Sequence, residues 1–135
     1  MKARLFLLAL LPPLLAVSAT AQQKKSKVTP PAAMIAVWGS DAEACKGEPI
    51  ESENRLEVEK DGVSQYVSYR GVRNWQRNGD TYSGRATLAE EGEGKPTPGR
   101  YHVALRLLPD GRLEVRLDRG KAYYWVKCPP GTRIR

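Results

Sequence analysis

The chain has 135 residues, 41% hydrophobic and 27% charged, with 12 glycines, 10 prolines and two cysteines. Those totals exclude a disordered chain, a collagen-like repeat and a disulfide-dense miniprotein, and leave one ordinary globular domain. The formal charge of +7 invites a nucleic-acid role, yet Met34 to Cys128 holds 15 basic and 15 acidic residues, so the surplus sits at the ends and no phosphate-tracking groove is expected.

Lys2 and Arg4 precede an apolar run from Leu5 to Val17, and Ala19-Thr20-Ala21 follows as a small-residue cleavage pattern. Residues 1–21 therefore read as a signal peptide, with the mature chain starting at Gln22. The run is shorter than the roughly 20 residues of a spanning helix, and Pro12-Pro13 interrupts it, so no stable membrane anchor is expected. Residues 22–33, with Lys24, Lys25, Lys27 and Pro30-Pro31, carry no apolar period and read as a flexible basic tail. The β domain then runs over 34–129, and residues 130–135 form a C-terminal tail.

Ala33 to Trp38 suits a first strand ending at Gly39, and Ser40-Asp41-Ala42-Glu43 suits a short helical turn capped by Ser40, with Glu43 reciprocating. Cys45 follows. Export places Cys45 and Cys128 in an oxidising compartment, where two cysteines read as one disulfide joining the first and last strand regions. Arg55 to Glu59 alternates, Asp61-Gly62 signals a two-residue hairpin turn, and Val63 to Arg70 alternates again, so that Leu56 faces Val67. Gly71 allows a bend into Val72 to Arg77. Asn78-Gly79 is the next two-residue turn and sets Trp75 opposite Tyr82 and Arg73 opposite Gly84, with the following strand reaching Leu88 or Ala89. Glu90 to Gly99 has neither period nor apolar content and reads as an exposed, mobile loop.

From Arg100 to Cys128 the pattern is clearest. Tyr101, Val103, Leu105 and Leu107 alternate with polar or small residues, Pro109-Asp110-Gly111 suits a three-residue loop, and Leu113, Val115 and Leu117 alternate in return. Pairing Leu108 with Arg112 puts Leu107 opposite Leu113, Leu105 opposite Val115 and Val103 opposite Leu117 on an apolar face. Arg106 then meets Glu114, and His102 meets Asp118, on the other. Asp118-Arg119-Gly120 leads to a last strand, but two-residue and three-residue loops there put opposite sets of Tyr123, Tyr124, Trp125 and Val126 inside. The count is about eight strands with hairpin connections, an all-β antiparallel meander closing into a small barrel; a two-sheet β-sandwich is the alternative.

Chemistry is sparse. One histidine, His102, on an outer face gives no Ser-His-Asp arrangement, no His/Cys metal set is present, and no phosphate-binding glycine loop or calcium loop appears, so neither catalysis nor a metal or cofactor is expected. Acidic pairs such as Glu57/Glu59 lie on a solvated face. Binding instead rests on Arg73, Trp75, Arg77, Tyr82 and Tyr101, residue types that dominate recognition surfaces. Arg73, on the face shared with Trp75 and Tyr82, meets an anionic ligand if that face is inside; if it is outside, the aromatics form a patch for a partner protein. The charges are uneven too, with three basic and eight acidic residues over Met34 to Tyr69 and twelve and seven over Arg70 to Cys128, so the domain is bipolar or its halves pair.

The order of signal peptide, short tail, strand ending Val37-Trp38-Gly39, Cys45, meander and aromatic last strand ending at Cys128 resembles the small periplasmic lipocalin-like β-barrel proteins of proteobacteria. More distantly it resembles barrel-shaped protease and lysozyme inhibitors. The resemblance implies a periplasmic or secreted binding module of the cell envelope, expected to be a monomer, that acts on another protein, as an inhibitor would, and no site residues carry over from it. A carrier holding a small anionic or aromatic ligand inside the barrel, anchored by Arg73, is the alternative, and a purely structural envelope protein a further one.

Overall fold

The structure, a computed structural model, describes residues 27–49, 53–92 and 94–135. The expected signal peptide and the tail as far as residue 26 lie outside the described residues. Among the described residues nine strands follow in chain order: β1 Val37–Gly39, β2 Arg55–Glu59, β3 Gly62–Ser64, β4 Ser68–Val72, β5 Gln76–Asn78, β6 Thr81–Glu90, β7 Thr97–Leu107, β8 Leu113–Leu117 and β9 Ala122–Lys127. All pairings are antiparallel, in the order β4-β3-β2-β1-β9-β8-β7-β6-β5, and a β4–β6 pairing closes eight of the strands into a barrel. The ninth, β5, extends the sheet beyond the ring on the edge of β6. The expected all-β barrel is what forms, with a 3-10 turn at Glu43–Cys45 as the one helical element among the described residues.

Alternation fills the interior. Leu56, Val58, Val63, Val72, Ala86, Val103, Leu105, Leu113, Val115 and Trp125 form one buried cluster with Trp38 and Met34, as expected for a barrel of this strand number. The β7–β8 hairpin has the register read from its loop, pairing Leu107 with Leu113, Leu105 with Val115 and Val103 with Leu117. Arg106 donates to Glu114 at 2.9 Å on the opposite face.

Elsewhere the chain departs from its simplest reading. In the β2–β3 hairpin Glu59 pairs with Gly62, so Lys60 and Asp61 make the turn and Leu56 does not meet Val67. The stretch from Val63 to Arg70 is two strands, because the Gln65 and Ser68 backbones bond to each other across a tight turn that leaves Val67 exposed. In the β5–β6 hairpin Asn78 pairs with Thr81, which makes Arg77, not Trp75, the partner of Tyr82. Residues from Thr97 on belong to β7, with Thr97 opposite Leu88, so the loop expected over Glu90 to Gly99 shortens to 91–96. Ser40 does not cap the 3-10 turn: its cap position is Ala42, without a side-chain cap, and Asp41 Oδ1, one residue earlier, accepts the Ala44 N–H at 2.8 Å. In the β8–β9 connection Asp118 and Arg119 make a two-residue turn, with Gly120 N–H bonded to the Leu117 carbonyl at 2.9 Å, but the ladder then pairs Val115 with Tyr123 and Leu113 with Trp125. The register has slipped by one residue; Trp125 is buried, Val126 half-buried, and Tyr123 and Tyr124 exposed.

The described residues on either side of the strands pack on the barrel. Cys45 and Cys128 are bonded, with S–S 2.02 Å and Cα atoms 5.2 Å apart. Beside them Arg55, only 4% exposed, donates from Nε to the Ala44 carbonyl, from Nη1 to that of Arg133, and from Nη2 to those of Lys46 and Gly47, at 2.5–3.1 Å. A buried cation is tolerated there because carbonyl oxygens replace its water. Ile134 is buried as well, so the C-terminal residues dock instead of trailing away. Of the expected basic tail, residues 27–33 are described: Pro30 is buried, and the Ala33 carbonyl accepts from Lys127 Nζ at 3.3 Å.

Candidate functional site

The five residues singled out from the sequence do not share one face. The backbone bends at residues 73–74 between β4 and β5, which breaks alternation, turning Trp75 inward and Arg73 outward. Trp75 is buried, its Nε1–H donating to the Lys60 carbonyl at 2.9 Å, so the ring closes the barrel beneath the β2–β3 turn. Tyr82 is buried, with the Arg77 guanidinium lying over its ring 5.6 Å from the centroid. Tyr101 packs against the core from β7. Arg73 is exposed, so it anchors nothing inside the barrel; the aromatic lumen with Arg73 at its centre is not what the fold builds.

Arg73 instead enters a cleft of about 580 Å³ on the outer wall. Gly71 of β4, the bend at 73–74, Gln76 of β5, the stretch 83–87 of β6, the middle of β7 and the β8–β9 turn line it. Ser83, Arg85 and Thr87 alternate along β6, and Arg85 is paired with His102 on β7, so both side chains take the outer face. Arg119 completes the cleft from the turn. Its floor includes Gly84, where a Cβ would lie 2.5 Å from Val72 Cγ1 and 2.9 Å from the Asn74 carbonyl oxygen. Any side chain at 84 would push the bend, and Arg73 with it, off β6.

The electrostatics are one-sided. Among the described residues no carboxylate lines the cleft. The side chains of Arg73, Arg85 and Arg119 make no hydrogen bond or ion pair among the described residues. The acid nearest in sequence, Asp118, is engaged: Arg70, on the core-facing side of β4, reaches it at 2.9 Å, and its Oδ1 accepts the His102 backbone N–H at 3.2 Å. Because β4 and the β8–β9 turn sit on opposite sides of the ring, the Arg70–Asp118 pair spans the barrel mouth. His102 is held below the usual imidazole range by burial and by the Arg119 guanidinium, against the pull of Asp118. Its Nδ1 is shut from solvent with no partner.

Arg119 is also conformationally unusual. Asp118 and Arg119 have φ of 53° and 61°, the left-handed region that Asn and Gly fill in turns of this kind. A side-chain-bearing residue there costs about 1 kcal/mol relative to glycine. Such local strain is characteristic of functional positions.

Sequence reasoning singled out Arg73 but not Arg85 or Arg119, and placed His102 only as an outer-face partner of Asp118. The one local signal was the excess of basic residues after Arg70. On the opposite side of the ring, β2 carries Glu57 and Glu59, with Glu59 accepting from Ser64 Oγ at 2.7 Å. The uneven charge is therefore expressed as two walls, acidic at β2 and basic at β6–β7, since these are across the barrel from each other. Among the described residues no group of three or more His, Cys, Asp or Glu side chains is placed to hold a metal ion, and no helix is long and apolar enough to cross a membrane. The disulfide suggests a non-cytoplasmic location. Comparison with protein-family models, with curated proteins and with solved structures finds no match.

Proposed function

We propose that the protein is an exported, non-catalytic binding module of the cell envelope, periplasmic or secreted, whose contact surface is the basic outer wall of β6 and β7 and whose partner is acidic. The observation that carries this reading is the convergence of Arg73, Arg85 and Arg119 on one cleft with no carboxylate to neutralise them. Three like charges held together repel one another, and a fold gains nothing from that arrangement unless an anion enters. The filled interior turns the reading away from a carrier with its ligand inside the barrel and toward the outer surface. Binding through a rigid barrel wall also suits an inhibitor-like contact with another envelope protein, since the face needs no rearrangement to meet it.

The test is retention on an immobilised sulfated polysaccharide at low salt, used as a generic polyanion. Wild-type protein is expected to bind with an affinity that falls steeply with salt. The triple variant Arg73→Glu, Arg85→Glu, Arg119→Glu is expected to pass through unretained, while a variant reversing Lys24, Lys25 and Arg135 keeps most of the binding. Equal retention of the triple variant, or loss on reversing the ends alone, would overturn the proposal.

A further inference from the structure

Resting on that reading, we infer that the group recognised in the cleft is a doubly charged tetrahedral oxyanion of the phosphomonoester class, held by Arg73, Arg85, Arg119 and His102. A carboxylate is satisfied by a single arginine fork and neutralises one guanidinium, which would leave two positive charges facing each other. A phosphomonoester carries about −1.5 to −2 charges near neutral pH and three terminal oxygens, and so matches several guanidinium groups at once. Ser83 and Thr87 add hydroxyl donors on the same outer face of β6.

His102 fits as a neutral donor. Its Nδ1 is sealed off without an acceptor, and a buried N–H with no partner is rarer than an unfilled acceptor lone pair, so the ring proton belongs on Nε2. Nε2 is then the nitrogen available to a ligand, and it arrives as a hydrogen-bond donor like the arginines. With Asn74, Gln76, Ser83 and Thr87 also on the lining, each able to donate, the site offers an anion donors without any group that would have to lose a proton. At about 580 Å³ the cleft exceeds what a bare phosphate fills, leaving room for the rest of an ester. Arg119 supplies an independent sign: the turn would be more relaxed with glycine, yet it presents a guanidinium to this cleft.

The experiment is calorimetric titration of the purified protein with inorganic phosphate, glycerol 3-phosphate and acetate, with flotation on phosphatidylcholine vesicles doped with phosphatidic acid or with phosphatidylglycerol. Phosphate and glycerol 3-phosphate are expected to bind at least about tenfold more tightly than acetate. Arg119→Gly should lose about tenfold in phosphate affinity while unfolding at a higher temperature than wild type, a pairing that a misfolded variant cannot mimic. Binding of soluble esters without flotation assigns the group to a soluble ligand, and preferential flotation with phosphatidic acid assigns it to a lipid headgroup; both support the inference. Acetate equal to phosphate, or phosphatidylglycerol equal to phosphatidic acid, overturns it. Retention on the polyanion without any phosphate binding overturns it while leaving the basic contact face intact, and loss of both removes the two together.

Discussion

On β2, Arg55 is shut away with carbonyl oxygens from Ala44, Lys46, Gly47 and Arg133 around its guanidinium, and across the ring Arg73, Arg85 and Arg119 share a cleft with no carboxylate among the described residues that line it. One arginine ties the turn after β1 and the chain's last residues to the barrel; the other three face outward unpartnered. The contrast separates arginine as structure from arginine as recognition: the first is saturated by its own chain, and the second is complete only with something from outside. It also implies that substitutions at the clasp lower stability, whereas substitutions at the cleft alter binding and leave the fold intact or, at Arg119, improve it.

The sharpest way to break this contrast is at the disulfide beside Arg55. Cys45 and Cys128 are 83 residues apart, and closing a loop of that length corresponds to about 4.5 kcal/mol in the chain-entropy model. Replacing both by serine is expected to lower the urea midpoint accordingly, with phosphate binding preserved at temperatures where the variant is folded. Loss of binding in the still-folded variant would mean that clasp and cleft are coupled, contrary to their separation on the barrel.

Arg55→Met comes next. It keeps the length of the stem but strands four carbonyl oxygens, and the expected cost is about 3 kcal/mol, read as a shift in the denaturation midpoint. Arg55→Lys should recover little, because one ammonium cannot reach carbonyls spread around a planar fork. If lysine restores full stability, the clasp depends on charge alone and the carbonyl geometry is incidental.

Which parts of this were legible in the sequence follows from how local each cause is. The β7–β8 hairpin was readable residue by residue, because Pro109-Asp110-Gly111 fixes the loop and both flanking strands alternate. The Asp61-Gly62 pair misled because its glycine is not there for the turn: Gly62 lacks a positive φ and is small because the Arg70 backbone crosses against it. A glycine needed for close approach and a glycine needed for a left-handed turn look the same in one dimension. The bend at 73–74 hid the true orientations of Arg73 and Trp75 for a related reason, since period-two reasoning assumes an unbroken strand. The cleft was the least legible feature. Arg85 and Arg119 are 34 positions apart, each sits in a stretch that reads as ordinary solvent-facing charge, and only closure of the barrel brings them together with Arg73.

The smallest effect tests the acidic wall against the basic one through pH. Glu57 is held above the usual glutamate range, first by burial and then by Glu59, with Arg135 opposing. The folded protein therefore keeps a proton on Glu57 that the unfolded chain has released, and stability falls as pH rises from 4.5 through the raised value. His102 runs the other way: its folded value lies below 6.5, so the unfolded chain takes the proton first and stability falls as pH drops through that window. Glu57→Gln should accordingly raise the denaturation midpoint slightly at pH 7 and lose that advantage near pH 4. His102→Gln should lessen the decline on the acid side without changing the neutral value through titration. A pH series of midpoints for both variants reads the two walls separately. If Glu57→Gln is destabilising at neutral pH, its carboxylate is a partner of Arg135 in the docked C-terminus rather than an excess charge, and the acidic wall then belongs to the clasp.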